Sequence, residues 1–431
     1  MAGERGRPKL YLHPSPGVLW HDGRPLTAED VAFTFRYMRE HPYYWGGTRL
    51  VKEAEVLGSR RVRITLKRPS APFLANTAAT LPILPRHIWQ GVKDPSRFRS
   101  VRAATGSGPY LLHRYSKEHG TYIFRANPSY YLGAPRVREL RFIPVGDPEI
   151  ALLRGEVQIA RVKPESREFL KEKGFKIIAG PHFSVVKLMM NHRRSPLDKR
   201  KFRHALAYAI DRKELVARAL RGHGLPGEPG FLPPESPWYA PPVRTYPYAP
   251  ERARGLLKEL GLGAGAGGRV ELELLTTRPF RRVAQLLKSQ LLRVGISLTL
   301  TGLDGAALAS RVLKWDFDLA LMGHGGMGGD PEILNRMVLW KSAVSARFCS
   351  PALKSVLLRQ VEEMDPRRRR ELVLEAERLF AEELPSLALY YPTQYWAHDG
   401  SVPWFFTRGG IALGIPWPLN KLALLRRPAK G

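Results

Sequence analysis

At 431 residues the chain is long enough for roughly two or three domains with ample apolar cores. Hydrophobic residues at 44% and charged residues at 25% exclude a disordered chain, the absence of any apolar run of about eighteen residues excludes a spanning helix, and a single cysteine, Cys349, excludes an internal disulfide. The formal charge of +30 is scattered, with short clusters at Arg193-Arg194, Lys199 to Lys201 and Arg367 to Arg370, and no nucleic-acid-binding motif accompanies it, so no nucleic-acid partner is expected.

In chain order, the first strong signal is VLWHDGRPLTAEDVAFTF, from Val18 to Phe35. Asp22-Gly23 reads as a turn, and Thr27 with Asp30 as a capping box at a helix start. Val31, Phe35 and Met38 then share one helical face. In RRVRITLKRPSAPF (60–73), Val62, Ile64 and Leu66 alternate with basic residues as a strand that Pro69 ends. The prolines of LPILPRHIW (81–89) forbid a long helix. GSGPYLLHRY (106–115) and GTYIFRANPSYYLG (120–133) predict a hairpin with aromatic residues in its strands. VRELRFIPV (137–145) alternates as another strand. DPEIALLRGEVQIA (147–160) opens on an Asp-Pro cap and runs as a helix to Gly155, then a short strand.

A second region begins near Val185. VVKLMMN (185–191) predicts a buried strand, followed by one long helix from about Asp198 to Leu220. Phe202, Ala205, Leu206, Ala209 and Ile210 form its core-facing stripe. GHGLPGEPGFLPPESPWYAPP (222–242) is a Pro/Gly-rich loop, too long for an idle connection. APERARGLLKELG (249–261) predicts a helix stopped by Gly261, and GAGAGG (263–268) a flexible turn. RVELELLTT (269–277), a helix from about Phe280 to Val294 and ISLTLTGL (296–303) form a strand–helix–strand unit. FDLALMG (317–323) is an apolar strand, and a helix after Asp365-Pro366 precedes the returning strand SLALYY (386–391). Strands alternating with helices on both sides of Val185 imply two α/β lobes.

Catalytic signatures are missing. Gly263, Gly265 and Gly268 fit a literal GxGxxG, but they follow a helix and precede a strand, the wrong order for a dinucleotide site. No P-loop, HExxH or GxSxG occurs, and the twelve histidines form no pair at metal-ligand spacing. The chain is therefore expected not to be an enzyme, with no cofactor and no metal.

Nine stretches, in order, resemble the extracellular solute-binding proteins of family 5, the peptide- and nickel-type binding components of ABC importers. They are the opening motif, SGPY (107–110), RANPSYYLGAPRVRELRF (125–142), FRHALAYAIDRKELV (202–216), LRGHGLPGEPGFLPPESPWY (220–239), YAPERARGLLKELG (248–261), LLKSQLLRVGISLTL (286–300), DFDLALMGHGGMGGDPEIL (316–334) and ELPSLALYYPTQYWAH (383–398). The resemblance implies a type II periplasmic binding protein fold, two lobes with a hinge and an extra subdomain. Residues 1–103 would be that subdomain, 104–182 lobe one, 183–390 lobe two, and 391–431 a return to lobe one, with crossovers near His182 to Asn191 and Leu389 to Trp396. Family members carry a further N-terminal segment before the opening motif, and MAGERGRPKL reads as no signal peptide. The implied function is capture of a peptide-like or oligosaccharide-like solute between two lobes, by a monomer of the periplasm or cell envelope, and its delivery to a membrane ABC permease. The alternative is a ligand-sensing domain of a regulatory protein with the same fold. The arginine excess, with few asparagines and glutamines, reads as the mark of a GC-rich, thermophilic source.

The loop GHGGMGGDP (323–331) is the leading ligand-binding candidate, because its glycines permit close backbone approach to a ligand. The resemblance places Met327 where peptide-binding relatives set an aspartate against the peptide amine, so Met327→Asp would strengthen peptide binding; otherwise Met327 packs against its lobe. His324 falls where relatives present an aromatic ring, or is a plain loop histidine. Tyr43, Tyr44 and Trp45 form either a stacking wall or part of a core, and Tyr395 and Trp396 carry the same two readings. Asn191 bonds either the hinge backbone or the ligand.

Overall fold

The computed structural model describes residues 8–43, 46–241, 244–262 and 270–425. They fold into two compact units. The first comprises Met1–Ile178, Tyr395–Thr407 and Trp417–Gly431; the second comprises Ala179–Gln394 and Arg408–Pro416. The tail is thus divided, with Arg408–Pro416 belonging to the second unit. No helix among the described residues is long and apolar enough to cross a membrane.

In the first unit, β1 (Lys9–Leu12), β2 (Val51–Val56) and β3 (Val62–Leu66) form an antiparallel sheet in the order β1-β3-β2. Val62, Ile64 and Leu66 are buried against Val31, Phe35 and Met38 of the helix Ala28–Glu40, so strand and helix bury the faces their spacing predicts. The opening motif locks that helix. The buried Asp30 carboxylate accepts from the Thr27 backbone N–H (2.9 Å), the Thr27 hydroxyl (3.3 Å), the Trp20 indole N–H (3.3 Å) and the Arg86 N–H (2.8 Å). Gly23 turns the chain with φ +84°, a conformation L side chains rarely adopt.

A second antiparallel sheet pairs β4 (Tyr110–Ser116) with β5 (Thr121–Ala126), and β5 with β6 (Glu139–Phe142). In a third, the returning strand Tyr395–His398 lies between β7 (Ile159–Val162) and β8 (Lys176–Ala179). Asp147 caps the helix Pro148–Leu153 by accepting from the Glu149 and Ile150 N–H groups.

The second unit is built on one mixed sheet of six strands. Its members are β9 (Ser184–Met190), β10 (Gly224–Pro226), β11 (Val270–Thr277), β12 (Ile296–Leu303), β13 (Leu319–Gly325) and β14 (Ser386–Pro392). Their order is β10-β14-β9-β13-β11-β12, with β11 parallel to β12 and β13 and the remaining pairs antiparallel. Alternation along β9 divides the core: Val186, Leu188 and Met190 join Phe202 and Leu206, while Val185 joins Phe231 and Phe380.

The single helix expected from Asp198 to Leu220 is broken. It runs Arg200–Ala209, then Ile210 turns extended at φ −100°, ψ 111°. Asp211 causes the break: its backbone N–H donates to Gln290 Oε1 (3.1 Å) and its carboxylate caps Glu214 N–H (3.0 Å), starting a new turn. The apolar stripe is nevertheless buried as its spacing predicts.

Asp30→Ala strands four donors in the first unit. The expected cost is about 3 kcal/mol of that unit's stability, read as faster amide exchange along Ala28–Glu40, with exchange in β9 unchanged.

Candidate functional site

The glycine loop leaves β13 at Gly325 and enters the helix Ile333–Val338. Its glycines allow a close approach, but to the protein's own chain. A Cβ on Gly328 would fall 2.2 Å from the Phe183 ring, and one on Gly329 would fall 3.0 Å from the Leu413 carbonyl. Bulk at either position would collide with Phe183 or with the 413–414 backbone. Met327 donates its N–H to the Phe183 carbonyl (3.0 Å). Its side chain is 1% exposed and packs with Phe183, Ile333 and Met337.

At the root of the loop stand two polar groups, His324 on β13 and Lys187 on β9. His324 Nδ1 is shielded and has no partner among the described residues. Burial, reinforced by Lys187 and Arg336, pushes the imidazole down to about 3, so it is neutral at ordinary pH. Lys187 on β9 is fully buried; its Nζ donates to the Val344 carbonyl and to Met337 Sδ (3.0 Å) and lies 5.1 Å over the Phe231 ring. Burial alone pushes that amine down to about 7.

The far end of the loop is fixed by a buried ion pair. Arg369 donates to both Asp330 oxygens (2.6 and 2.8 Å), with the two side chains each 7% exposed. Arg369 Nε also donates to the Gln360 carbonyl (2.9 Å), Gln360 donates to Asn335 Oδ1 (2.7 Å), and Asn335 donates to the Leu357 carbonyl (2.7 Å). The guanidinium lies 5.2 Å from the Trp238 ring of the Pro/Gly-rich loop. The loop residue Asp330 is therefore fully engaged.

A second cluster gathers close to the points where the chain leaves the second unit. The Glu235 carboxylate accepts from the His182 backbone N–H (2.8 Å) and meets its Nδ1 (2.7 Å), while His182 Nε2 meets Thr393 Oγ1 (2.8 Å). Gly180 N–H donates to the Gln394 carbonyl (2.8 Å), and Gln394 Nε2 to Ser184 Oγ (3.0 Å). These contacts tie the chain after Ile178 to the chain before Tyr395.

The remaining candidates scatter. Asn191 is buried and engaged: its amide donates to the Trp315 (3.0 Å) and Phe317 (2.7 Å) carbonyls, and its oxygen accepts from Arg193 N–H. That is the backbone-bonding role, and no amide hydrogen is left for a ligand. Register places His324 opposite Val185 and Leu319 opposite Met190, so Asn191 and His324 lie at opposite ends of β9. In the first unit, Tyr395 is buried with the Arg167 guanidinium 4.5 Å over its ring. Trp396 is buried edge-on to Trp417 (5.0 Å), its indole N–H without a partner among the described residues. Tyr43 is half-buried against the core of the Ala28–Glu40 helix. Tyr44, Trp45 and the glycines at 263–268 lie outside the described residues. Within the second unit, His324 at the end of β13 and Met327 in the loop that follows are near neighbours in sequence, and Asn191 is at the other end of β9. Sequence reading missed Lys187, although a lone cation inside the apolar run VVKLMM is a usable signal. Among the described residues no group of three or more His, Cys, Asp or Glu side chains is placed to hold a metal ion.

Comparison with known proteins decides the family. The profile of "Bacterial extracellular solute-binding proteins, family 5 Middle" matches residues 15–343. The chain belongs to this family. It is 29% identical over 420 residues to the probable di/tripeptide-binding protein 5 of Pseudomonas aeruginosa, covering 90% of this chain and 78% of that one. The ABC transporter substrate binding protein CtaP of Listeria monocytogenes superposes with a TM-score of 0.81 at 22% identity, over 96% of this chain and 88% of that one. The oligopeptide-binding protein AppA of Bacillus subtilis, solved with a nonapeptide, gives 0.78 at 21% identity, over 97% and 88%. The fold of this family 5 protein is that of the type II periplasmic binding proteins, as the sequence resemblance implies. A regulatory sensor is not favoured.

Two substitutions test this region. In Met327→Asp a carboxylate replaces a thioether in apolar surroundings, so urea unfolding is expected to show a loss of about 3 kcal/mol or more, whatever happens to peptide affinity. For Lys187, the unfolded chain keeps its proton up to about pH 10.5 whereas the folded one releases it near 7. That contribution to stability is complete above pH 10.5 and is lost as pH falls toward 7. Lys187→Met is therefore expected to be more stable than the parent at pH 7, by on the order of a few kcal/mol. It should also lose the rise in stability between pH 7 and 10.5, measured by urea unfolding across that range.

Proposed function

We propose that this family 5 protein captures a peptide-like solute outside the cytoplasmic membrane, as a monomer, and hands it to an ABC permease. The observation that carries this reading is the match to a di/tripeptide-binding protein across nine-tenths of the chain, within a family match over residues 15–343. The E. coli dipeptide-binding protein, 25% identical over 426 residues, points the same way. At the loop, Lys187 contacts a carbonyl, a thioether and the Phe231 ring, and His324 Nδ1 has no partner among the described residues, so the two form no acid–base pair with a carboxylate there. Capture of this kind requires the solute to bind the form that is delivered better than the empty form, since a ligand shifts an equilibrium only by its differential affinity.

The glycine loop bears on which peptides are taken. It carries no carboxylate before Asp330, and Asp330 is already paired with Arg369. A peptide ammonium group therefore finds no free anion on this loop, and its binding energy must come from backbone and side-chain contacts instead. An oligosaccharide-like solute is the competing class, and the same experiment separates the two.

Native mass spectrometry of the purified protein, repeated after denaturation, is expected to release a mass in the range of short peptides. Calorimetric titration with a tripeptide and with its N-acetylated form is expected to give affinities within about tenfold, about 1.4 kcal/mol, of each other. A released sugar mass, or no heat with any peptide, overturns the peptide reading. A hundredfold preference for the free amine overturns the argument from the loop.

A further inference from the structure

Three polar side chains of the second unit stand in series, carboxylate to imidazole to hydroxyl. Glu235 Oε1 lies 2.7 Å from His182 Nδ1, and Thr393 Oγ1 lies 2.8 Å from His182 Nε2. The three come from separate segments: the approach to β9, the Pro/Gly-rich loop and the exit from β14.

Hydrogen-bond chemistry fixes the direction of this series. A carboxylate only accepts, so Nδ1 turns its proton toward Glu235. In the neutral ring Nε2 then keeps the lone pair, and the Thr393 hydroxyl donates to it. A hydroxyl polarised by an imidazole that a carboxylate orients is the arrangement of an activated nucleophile. The other Glu235 oxygen accepts from the His182 backbone N–H (2.8 Å), so one carboxylate holds both main chain and ring.

The backbone that carries the three groups is stiffened. Each directly follows a proline (Pro181, Pro234 and Pro392), whose ring fixes one backbone angle beside it. Thr393 N–H donates to the His223 carbonyl (3.2 Å), and the Gln394 carbonyl accepts from Gly180 N–H (2.8 Å). The Gln394 N–H itself donates to no group among the described residues. The amide that follows a nucleophile is a recurrent donor to the oxyanion formed on attack. Solvent reaches the series as well: the His182 and Glu235 side chains are 16% and 41% exposed, and Thr393 is partly exposed.

We propose that Thr393 is an acyl-accepting nucleophile toward activated carboxylic esters, with His182 as its base and Glu235 as the positioning residue. Thr393 Oγ1 attacks the ester carbonyl as His182 Nε2 takes the hydroxyl proton. The carbonyl–alkoxy bond then breaks, His182 gives the proton to the departing alcohol, and the acyl group stays on Thr393. Water, losing a proton to the same nitrogen, releases the acid and restores the hydroxyl. A single oxyanion donor confines this chemistry to esters whose leaving group is already stable. It stands whether or not the solute is a peptide.

The test is reaction with p-nitrophenyl acetate at about pH 8, above the ordinary imidazole range. The reaction is quenched in acid within the first turnover, and the acetylated residues are mapped by peptide mass spectrometry. Wild type is expected to release p-nitrophenol and to carry an acetyl group on Thr393. His182→Gln is expected to slow that acetylation about a hundredfold. Thr393→Val is expected to lose the label at this position, and Thr393→Ser to keep it. Glu235→Gln is expected to slow acetylation about tenfold or more and to mix the two His182 ring tautomers, read from the ring nitrogen shifts. A clamp that merely ties the chain leaves the acetylation rate unmoved. Acetyl groups found elsewhere on the wild type but not on Thr393 overturn the proposal without recourse to any variant. Equal labelling of Thr393 in wild type and in a His182→Gln variant of unchanged thermal midpoint overturns it as well.

Discussion

The pairing of Asp330 with Arg369 is the interaction on which the second unit's glycine loop depends. A carboxylate and a guanidinium this deeply buried are tolerable only when each is matched and its remaining hydrogen-bonding capacity is filled. Both conditions hold: the pair is bidentate, and Arg369 continues into Gln360, which continues into Asn335. The network joins the end of the glycine loop to three helices, Ile333–Val338, Pro351–Glu362 and Pro366–Glu383. The last of these leads directly into β14, which pairs with β9. The other end of the loop is continuous with β13, which pairs with the opposite edge of β9. Both ends of the loop are thereby referred to one central strand. Between them, Gly328 and Gly329 let the backbone lie against Phe183 and the 413–414 segment with no side chain intervening.

The same economy explains part of the basic excess. Many arginines are engaged inside the units, donating to backbone carbonyls that secondary structure leaves open. Arg203 donates to the carbonyls of Leu197, Asp198 and Glu383; Arg212 to those of Gly227 and Tyr246; Arg347 to those of Val312 and Leu313. Arg36, Arg39 and Arg254 do the same between neighbouring elements. The planar forks of Arg203, Arg212 and Arg347 each satisfy two or more acceptors while remaining charged. Net charge is therefore a poor guide to a partner in this chain.

Much of the fold was legible because its determinants are local. Thr27 and Asp30 are three residues apart, and the alternation of Val62, Ile64 and Leu66 needs no distant partner. The strand–helix–strand unit from Val270 to Leu303 likewise follows from period and glycine placement. The failures share a cause in distance along the chain. The helix at 198–220 breaks because Asp211 answers to Gln290, 79 residues away. At Gly328 and Gly329 the loop lies against Phe183 and the 413–414 backbone, contacts that no local pattern announces. Nothing local distinguishes a glycine that admits a ligand from one that admits the chain itself. Asn191 illustrates the remaining ambiguity: its amide satisfies two carbonyls more than 120 residues later, which no spacing rule anticipates.

What packing does not explain is concentrated on two neighbouring strands. A core selected for stability alone would not place an amine at Lys187, whose Nζ finds a carbonyl and a thioether but no carboxylate. Nor would it leave His324 Nδ1 shielded without a partner. Desolvation disfavours the charged form of both, which is why both are pushed toward neutrality. Two other large buried cations of this unit, Arg369 and Arg203, have carboxylates near them, Asp330 at 2.6 Å and Glu383 at 3.8 Å, so the fold is able to supply a counter-ion where one is needed. Its failure to do so at Lys187 and His324 sets the root of the glycine loop apart from the rest of the second unit. Both groups lower the stability that apolar side chains of like size would give at these positions, a cost set by desolvation alone.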